Sequence, residues 1–519
     1  MSEKKKSFLK GAAILAAGSI IAKVLGIFIK IPLDGILGSF GSGLYSNAYP
    51  LYTALLSISV IGPPVAISKM VSERMTFGNY QGAYKVFKVA ICTLAVLGGF
   101  CSLIMLLGAN IFISAFKWHP QTYYSVLGLS LAPLFVSLQS TFRGFFQGMQ
   151  KMIYPSVSQI IESFARVVFG LGLCILFMKI IGVGAAAGGA TFGATAGAIL
   201  GSVYLYFCFI ANKKNHKEAM LAQTHEDEEP YSSILSTLIK MTIPITLASF
   251  VTSAMSLIDT MTVSGCMQSA GYTVEQATEL WGLLSIRAQT LVNVPLTLGA
   301  ALSASLVPSI SESFARRDRN QVQQKSYTGI LVAFVVAFPC AVGLCVLAGP
   351  IISLLYGTPD GAGMLAVLAY SIIFALTMTT LQGILQGVGK FFIPVKNLAI
   401  GCVIKLLFNI VLISNPQVNI YGAILGTIVA DCCVSILCIN AVKKYIGLKP
   451  GLGFKIFKTA LCSGLMGIGT YLSYHLMVAF LPGKVATLIS ILLSMAAYFA
   501  LLFILRVIDK EFINEFRRK

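Results

Sequence analysis

The sequence predicts an all-α polytopic membrane protein made of two parallel six-helix repeats, followed by two extra C-terminal helices. Three observations predict it. The chain is 56% hydrophobic and only 11% charged, with a mean hydropathy of +0.83, whereas a soluble domain carries roughly 25% charged residues. It divides into fourteen apolar runs, each long enough to cross a hydrocarbon core of about 30 Å, which takes about 20 helical residues. Finally, FRGFFQGMQKMIYP, from Phe142 to Pro155, returns without a gap as LQGILQGVGKFFIP, from Leu381 to Pro394, at an offset of 239 positions (386 − 147 = 239).

The same offset sets Val71-Ser72-Glu73 on Ile310-Ser311-Glu312. Two matches at one offset indicate a duplicated unit. It is half a protein, far longer than a solenoid period of about 20–50 residues. The formal charge of +19 sits in alternate loops and not on one face or tail, so it reads as topology and implies no nucleic-acid partner. The twelve cysteines are scattered through apolar runs with no CxxC, and the four histidines form no constellation, so neither disulfides nor a metal nor any cofactor is expected.

Taken in order, Lys4, Lys5, Lys6 and Lys10 precede span 1 (about 11–31), and the loop from Asp34 to Ser46 has no Lys or Arg, which places the N-terminus in the cytoplasm. Span 2 (about 47–67) ends in a basic loop with Lys69, Arg74, Lys85 and Lys88; span 3 (about 89–113) leads to Lys117, and span 4 (about 123–147) to Lys151. Spans 5 (about 155–178) and 6 (about 184–210) complete an N-terminal lobe, 1–211. The polar stretch 212–233 reads as a cytoplasmic linker. Spans 7 (about 237–262), 8 (about 282–308), 9 (about 328–355), 10 (about 364–387), 11 (about 393–413) and 12 (about 420–441) form a C-terminal lobe, 234–445, with Arg316, Arg317, Arg319 and Lys325 repeating the basic loop. Spans 13 (about 456–479) and 14 (about 485–507) lie in 446–519, have no counterpart in the first half and return the C-terminus to the cytoplasm. Gly184, Gly188, Gly189, Gly193, Gly197 and Gly201 in span 6, with Gly422 and Gly426 in span 12, have the small-residue spacing of close helix packing.

Ionisable residues within spans are the functional candidates, since a Lys or Arg at mid-bilayer costs about 2.5–3.5 kcal/mol on insertion scales. Lys23 and Lys30 in span 1, with Arg287 and Asn293 in span 8, suit an anionic group such as phosphate or pyrophosphate. Against that, Lys30 and Arg287 can also snorkel to the interface. A second group, for coupling or gating, comprises Asp259 in span 7, Glu162 and Arg166 in span 5, and Lys405 and Asn409 in span 11, with Asp431 in span 12. Glu162 and Arg166 are spaced i, i+4, for which a structural ion pair is the favoured reading. Lys405 falls on Arg166 at the 239 offset while Gly401 falls on Glu162, leaving Asp259 as the candidate acid for Lys405. There is no P-loop, HExxH or nucleophile elbow, so no enzyme and no intrinsic ATPase is expected.

GLYSNAYPLY (Gly43 to Tyr52), GPPVAISKMVSE (Gly62 to Glu73), the paired RGFFQG and LQGILQG segments, and LVNVPLTLGAALSASLVPSISE (Leu291 to Glu312) resemble the stage V sporulation protein B and MurJ-like polysaccharide exporters of Gram-positive bacteria, in the multidrug/oligosaccharidyl-lipid/polysaccharide flippase superfamily. The resemblance covers essentially the whole chain. It implies a V-shaped cavity between two MATE-like bundles lined by spans 1, 2, 7 and 8, a lipid-tail groove at spans 13 and 14, and a bacterial cytoplasmic membrane location. Lys23 stands where similar flippases have an essential Arg, and Lys30 and Arg287 stand near two more. Asp259 matches an acid that binds sodium in some relatives together with residues of span 11. Here the sequence departs from those relatives, with Lys405 and Asn409 in place of the usual pair, and the expectation drawn from that departure is that the Lys405 ammonium replaces the sodium beside Asp259, making transport sodium-independent.

The expected function is alternating-access flipping of a lipid-linked cell-wall precursor carrying a pyrophosphate, lipid II first. Membrane lipids and cell-wall synthesis enzymes are the expected partners. An inside-negative potential has the right sign to move phosphate charges outward, at about 2.3 kcal/mol per charge per 100 mV. The alternatives are export of another polyprenyl-linked precursor such as one for spore cortex, a cation-coupled drug exporter, which calls for acidic rather than basic cavity residues, and a non-transporting scaffold for wall synthesis.

Overall fold

The structure is a computed structural model and describes residues 18, 19, 21, 22, 25, 26, 28–212, 229–448 and 450–507, without the side chains of 59 and 61. The described residues form helices and turns, with no strand. The chain separates into two compact units: residues up to Gln268 together with Tyr272–Gly282, and Ser269–Gly271 together with the residues from Leu283 onward.

The first unit contains α1 (Lys30–Leu56), α2 (Gly62–Thr76), α3 (Tyr80–Ala115), α4 (Thr122–Ser130), α5 (Ala132–Gly148), α6 (Ile153–Ile180), α7 (Val183–Ala211), α8 (Tyr231–Ser269, but for its last residue) and α9 (Val274–Gly282). The FRGFF stretch supplies its core. Phe87 of α3 lies 5.3 Å from Phe142, 4.9 Å from Phe145 and 4.7 Å from Phe209 between ring centroids, the tilted and offset arrangements that aromatic quadrupoles favour. Ile234 and Leu238 of α8 join this cluster. Further along α8, Trp118 Nε1 donates to the Thr260 carbonyl at 2.8 Å, and Ser264 Oγ and Gln268 Nε2 donate to the Lys117 carbonyl at 2.5 and 2.7 Å. The α9 backbone is pressed on α1, where Gly43 faces the Thr278 carbonyl and Gly282 faces that of Ser39 with no room for a Cβ. The linker-based division assigns α8 and α9 to the second lobe; packing groups both with the first.

The second unit contains α10 (Gln289–Ala315), α11 (Arg319–Val346), α12 (Ala348–Tyr356), α13 (Ala362–Leu368), α14 (Ser371–Gly387), α15 (Phe392–Phe408), α16 (Tyr421–Tyr445), α17 (Leu452–Val478) and α18 (Gly483–Ile504). The extra pair α17 and α18 packs on α11: Tyr498 Oη donates to the Val335 carbonyl at 2.8 Å, and Gly467 faces Val342.

The duplication is visible in the backbone. Asn79 Oδ1 accepts from Gly82 N at 2.6 Å to cap α3, and Asp318 Oδ1 accepts from Gln321 N at 3.0 Å to cap α11, again 239 positions apart (318 − 79 = 239). Each satisfies one of the orphan amides of a helix start. Left-handed residues recur at the same offset, Gly78 (φ 71°) with Arg317 (φ 57°) and Gln150 (φ 60°) with Gly389 (φ 78°). The two matched sequence segments turn out to be the two sides of one helix crossing. A Cβ on Gly148 would lie 2.7 Å from Val71 Cβ, and one on Gly387 would lie 2.9 Å from Ile310 Cβ; Gly144 faces Pro64 and Gly383 faces Ser303. Both lobes thus seat α5 on α2, or α14 on α10, through the same glycines.

Several spans differ from expectation. The stretch read as a loop from Asp34 to Ser46 is helical within α1, with a bend at Gly38 (φ 67°); Asp34 is buried there and accepts from Ser42 Oγ at 2.9 Å. Span 4 breaks at Leu131, ahead of Pro133. Span 10 is α13 and α14, bent by 41°. Among the described residues ten helices are long and apolar enough to cross a membrane, or eleven with that bent pair, against fourteen expected. The difference falls on span 1, which is only partly described, on span 2, broken by a π-helical turn at Ser57–Ile61, and on span 13, where α17 carries Lys455, Lys458 and His475.

Candidate functional site

The most developed polar cluster lies in the first unit. Glu162 and Arg166, one turn apart on α6, pair as their spacing predicts: Arg166 Nη2 donates to Glu162 Oε1 at 2.8 Å. The other carboxylate oxygen accepts from Arg143 Nη2 of α5 at 2.9 Å, and Arg143 Nε donates to Ser158 Oγ at 2.9 Å. Arg166 Nη1 donates to the Tyr49 hydroxyl of α1 at 3.2 Å. One carboxylate is therefore divided between two guanidiniums, leaving one formal positive charge in the triad. Tyr49 stands in a row of rings, 5.6 Å from Tyr45 and 5.6 Å from Tyr52 between centroids.

Glycine packing sets α6 where this is possible. A Cβ on Gly193 would lie 2.6 Å from the Arg166 carbonyl oxygen, and one on Gly197 would lie 2.5 Å from that of Glu162. The glycines of α7 thus serve packing, as their spacing predicts. Arg143 and Tyr49 were missed as site residues. The available signal was the repeated motif itself, which carries Arg143 in one copy and the neutral Gln382 at the matching position of the other.

In the second unit Arg287 lies in a π-helical turn, Leu283–Ala288, and is 6% exposed. Its Nη1 donates to Thr358 Oγ1 at 2.8 Å and to the Asp360 carbonyl at 3.1 Å, and its guanidinium sits 5.3 Å from the centre of the Tyr356 ring. Tyr356 Oη in turn donates to the Ile286 carbonyl at 3.2 Å. Arg287 is thereby tied to the 356–360 loop of its own unit, an arrangement neither snorkelling nor open. Asn293 is exposed on α10, and Lys30 is half-buried at the start of α1. Lys23 lies outside the described residues.

Lys405, Asn409 and Asp431 are buried in the second unit, on α15, the π-helical turn that follows it, and α16. Gly426 of α16 faces Asn409 Oδ1 with no room for a Cβ. Asp259 is buried in the first unit. The expected Asp259–Lys405 pair is therefore not internal to one lobe. Among the described residues no three His, Cys, Asp or Glu side chains are placed to hold a metal ion, and none of the twelve cysteines forms a disulfide.

Comparison with known proteins gives the family. Residues 8–314 match the polysaccharide biosynthesis protein family and residues 244–411 match MatE. The chain is 30% identical over 437 residues to lipid II flippase MurJ of Bacillus subtilis (strain 168), covering 81% of this chain and 79% of that one. It is 26% identical over 511 residues to stage V sporulation protein B of the same organism, covering 98% and 97%. A solved structure of lipid II flippase MurJ in an inward closed conformation superposes with a TM-score of 0.69 at 14% identity, over 95% of this chain and 98% of that one. An inward-facing multidrug resistance MATE family transporter of the MOP superfamily gives 0.68 at 14% identity, over 82% and 96%. The chain belongs to the polysaccharide biosynthesis protein family and is similar over most of its length to MurJ and to stage V sporulation protein B.

Proposed function

We propose that the protein is a flippase for a lipid-linked cell-wall precursor, lipid II first, working by alternating access in the bacterial cytoplasmic membrane with both termini cytoplasmic. The observation that carries this reading is the 30% identity to a lipid II flippase across 81% of the chain. Duplicated lobes suit a rocking motion about a shared site, and the cationic side chains among the apolar spans suit a pyrophosphate. Lys23 and Lys30 are the proposed headgroup contacts, while the polyprenyl tail stays in the bilayer.

The test is complementation of a lipid II flippase-depleted bacterium by wild type, Lys23→Ala and Lys23→Arg at equal membrane levels. Rescue by wild type and Lys23→Arg but not by Lys23→Ala supports the reading and gives Lys23 the anion. Failure of well-expressed wild type removes lipid II as substrate. A spore polysaccharide precursor is the second reading, favoured by the near full-length match to stage V sporulation protein B.

A further inference from the structure

We infer that Arg143, Glu162 and Arg166 form an oxyanion-exchange subsite in the first lobe, in which a phosphate group of the passing substrate takes the place of Glu162 on Arg166. The inference rests on the flippase reading and adds to it a site outside the spans that supply Lys23 and Lys30.

Three observations carry it. First, the triad is underfilled. Arg166 presents an edge made by its Nε and Nη2 hydrogens, which a carboxylate or phosphate normally takes with two oxygens. On that edge Nη2 is occupied by Glu162 Oε1, while Oε2 is committed to Arg143; among the described residues the buried Arg166 Nε meets no acceptor. A desolvated donor of this kind is unfavourable until a second oxygen reaches it.

Second, the cluster sits at the boundary of the packed unit. The side chains of Arg143, Glu162 and Arg166 are 16%, 14% and 25% exposed, dry enough for charge to matter and open enough for a ligand to compete.

Third, the triad is not part of the duplicated scaffold. At the offset that preserves the capping residues and the crossing glycines, Arg143 falls on Gln382, Glu162 on Gly401, Arg166 on Lys405 and Tyr49 on Ala288. A device needed to hold the fold would be expected in both lobes, and this one is confined to the first.

When an oxyanion binds the Nε/Nη2 edge of Arg166, Glu162 remains on Arg143, so no acid or base is left unpaired in the exchange. The Tyr49 hydroxyl keeps its contact with Nη1 and holds the guanidinium plane. No bond is made or broken and no proton is required.

The experiment measures equilibrium binding of farnesyl pyrophosphate to the full chain in phosphatidylcholine nanodiscs. The proteins are wild type, Arg166→Gln, Arg166→Lys and Glu162→Gln, each compared as the fraction eluting monodisperse. Arg166→Gln is expected to weaken binding about tenfold or more, the worth of a lost charge-assisted contact. Arg166→Lys, which keeps the charge without the fork, is expected to fall between it and wild type.

Glu162→Gln is the deciding variant, and it covers the case in which Arg166→Gln does not fold. Removing the competing carboxylate is expected to tighten binding several-fold. A purely structural ion triad predicts unchanged or weaker binding in Glu162→Gln, and that result overturns the subsite while leaving the flippase reading intact. Wild type that fails to bind farnesyl pyrophosphate overturns both.

Discussion

Replacing Gly148 or Gly387 by Ala tests whether the duplicated glycines are the contacts that seat each lobe. On Gly148 the new methyl would stand 2.7 Å from Val71 Cβ and 2.8 Å from both the Ser68 carbonyl oxygen and Val71 Cγ1; on Gly387 it would stand 2.9 Å from Ile310 Cβ and Cγ2 and 3.2 Å from the Val307 carbonyl oxygen. Ordinary contact begins at 3.4 Å, so α5 must retreat from α2 by about 0.7 Å (3.4 − 2.7) and α14 from α10 by about 0.5 Å (3.4 − 2.9). Backbone atoms are among the obstacles, so a rotamer change does not relieve the clash. Overpacking of this kind costs about 1–3 kcal/mol per site. The two sites lie in different units with no shared neighbour, so the double variant is expected to lose the sum of the two. Gly99→Ala and Gly172→Ala are the controls: among the described residues nothing beyond the local helix backbone lies within 4 Å of either Cβ position, and Ala in a helix interior gains about 0.5–1 kcal/mol over Gly. Thermal unfolding in one detergent, followed by the fraction remaining monodisperse, ranks the five variants against wild type. The reasoning is refuted if Gly148→Ala and Gly387→Ala melt with wild type, or if the controls fall as far as they do.

Arg287→Gln removes the charge that holds Thr358 Oγ1 and the Asp360 carbonyl, and with it the contact to the Tyr356 ring. Loss of a charge-assisted contact costs roughly 1.5–3 kcal/mol, so amide exchange in residues 356–361 is expected to quicken about 10- to 150-fold, with exchange in the first unit unchanged. Exchange as slow as wild type would show that the loop holds itself. If Lys405, which is buried, acts as the proposed tethered cation, transport by reconstituted protein is expected to be equal in sodium and potassium media; sodium-stimulated flux would remove that role from Lys405.

Much of the fold is legible without coordinates because the signals are local or periodic. Apolar runs report spans, and one offset of 239 linking two segments reports duplication. The same offset also hid a contact: Val71 and Gly148 match their counterparts together because they touch, as Ile310 and Gly387 do. Within the candidate site, the i, i+4 pair Glu162–Arg166 follows from helix geometry alone.

Tertiary structure decided the rest. Arg166 meets Tyr49 across 117 positions, and Arg287 meets Thr358 across 71, separations over which sequence pattern carries no register. Helix crossings fix those meetings, and the crossings depend on where a glycine lets two backbones approach. For the same reason the position of the linker assigns α8 and α9 to the second half, while Ile234, Leu238 and the Trp118–Thr260 bond hold α8 on the first and the Gly43–Thr278 and Gly282–Ser39 approaches hold α9. The sequence by itself determined that the chain spans a membrane as a duplicated bundle carrying cations; which carboxylate answers which cation was settled only by packing, because a single Glu162 is shared when α5 and α6 bring two arginines to it.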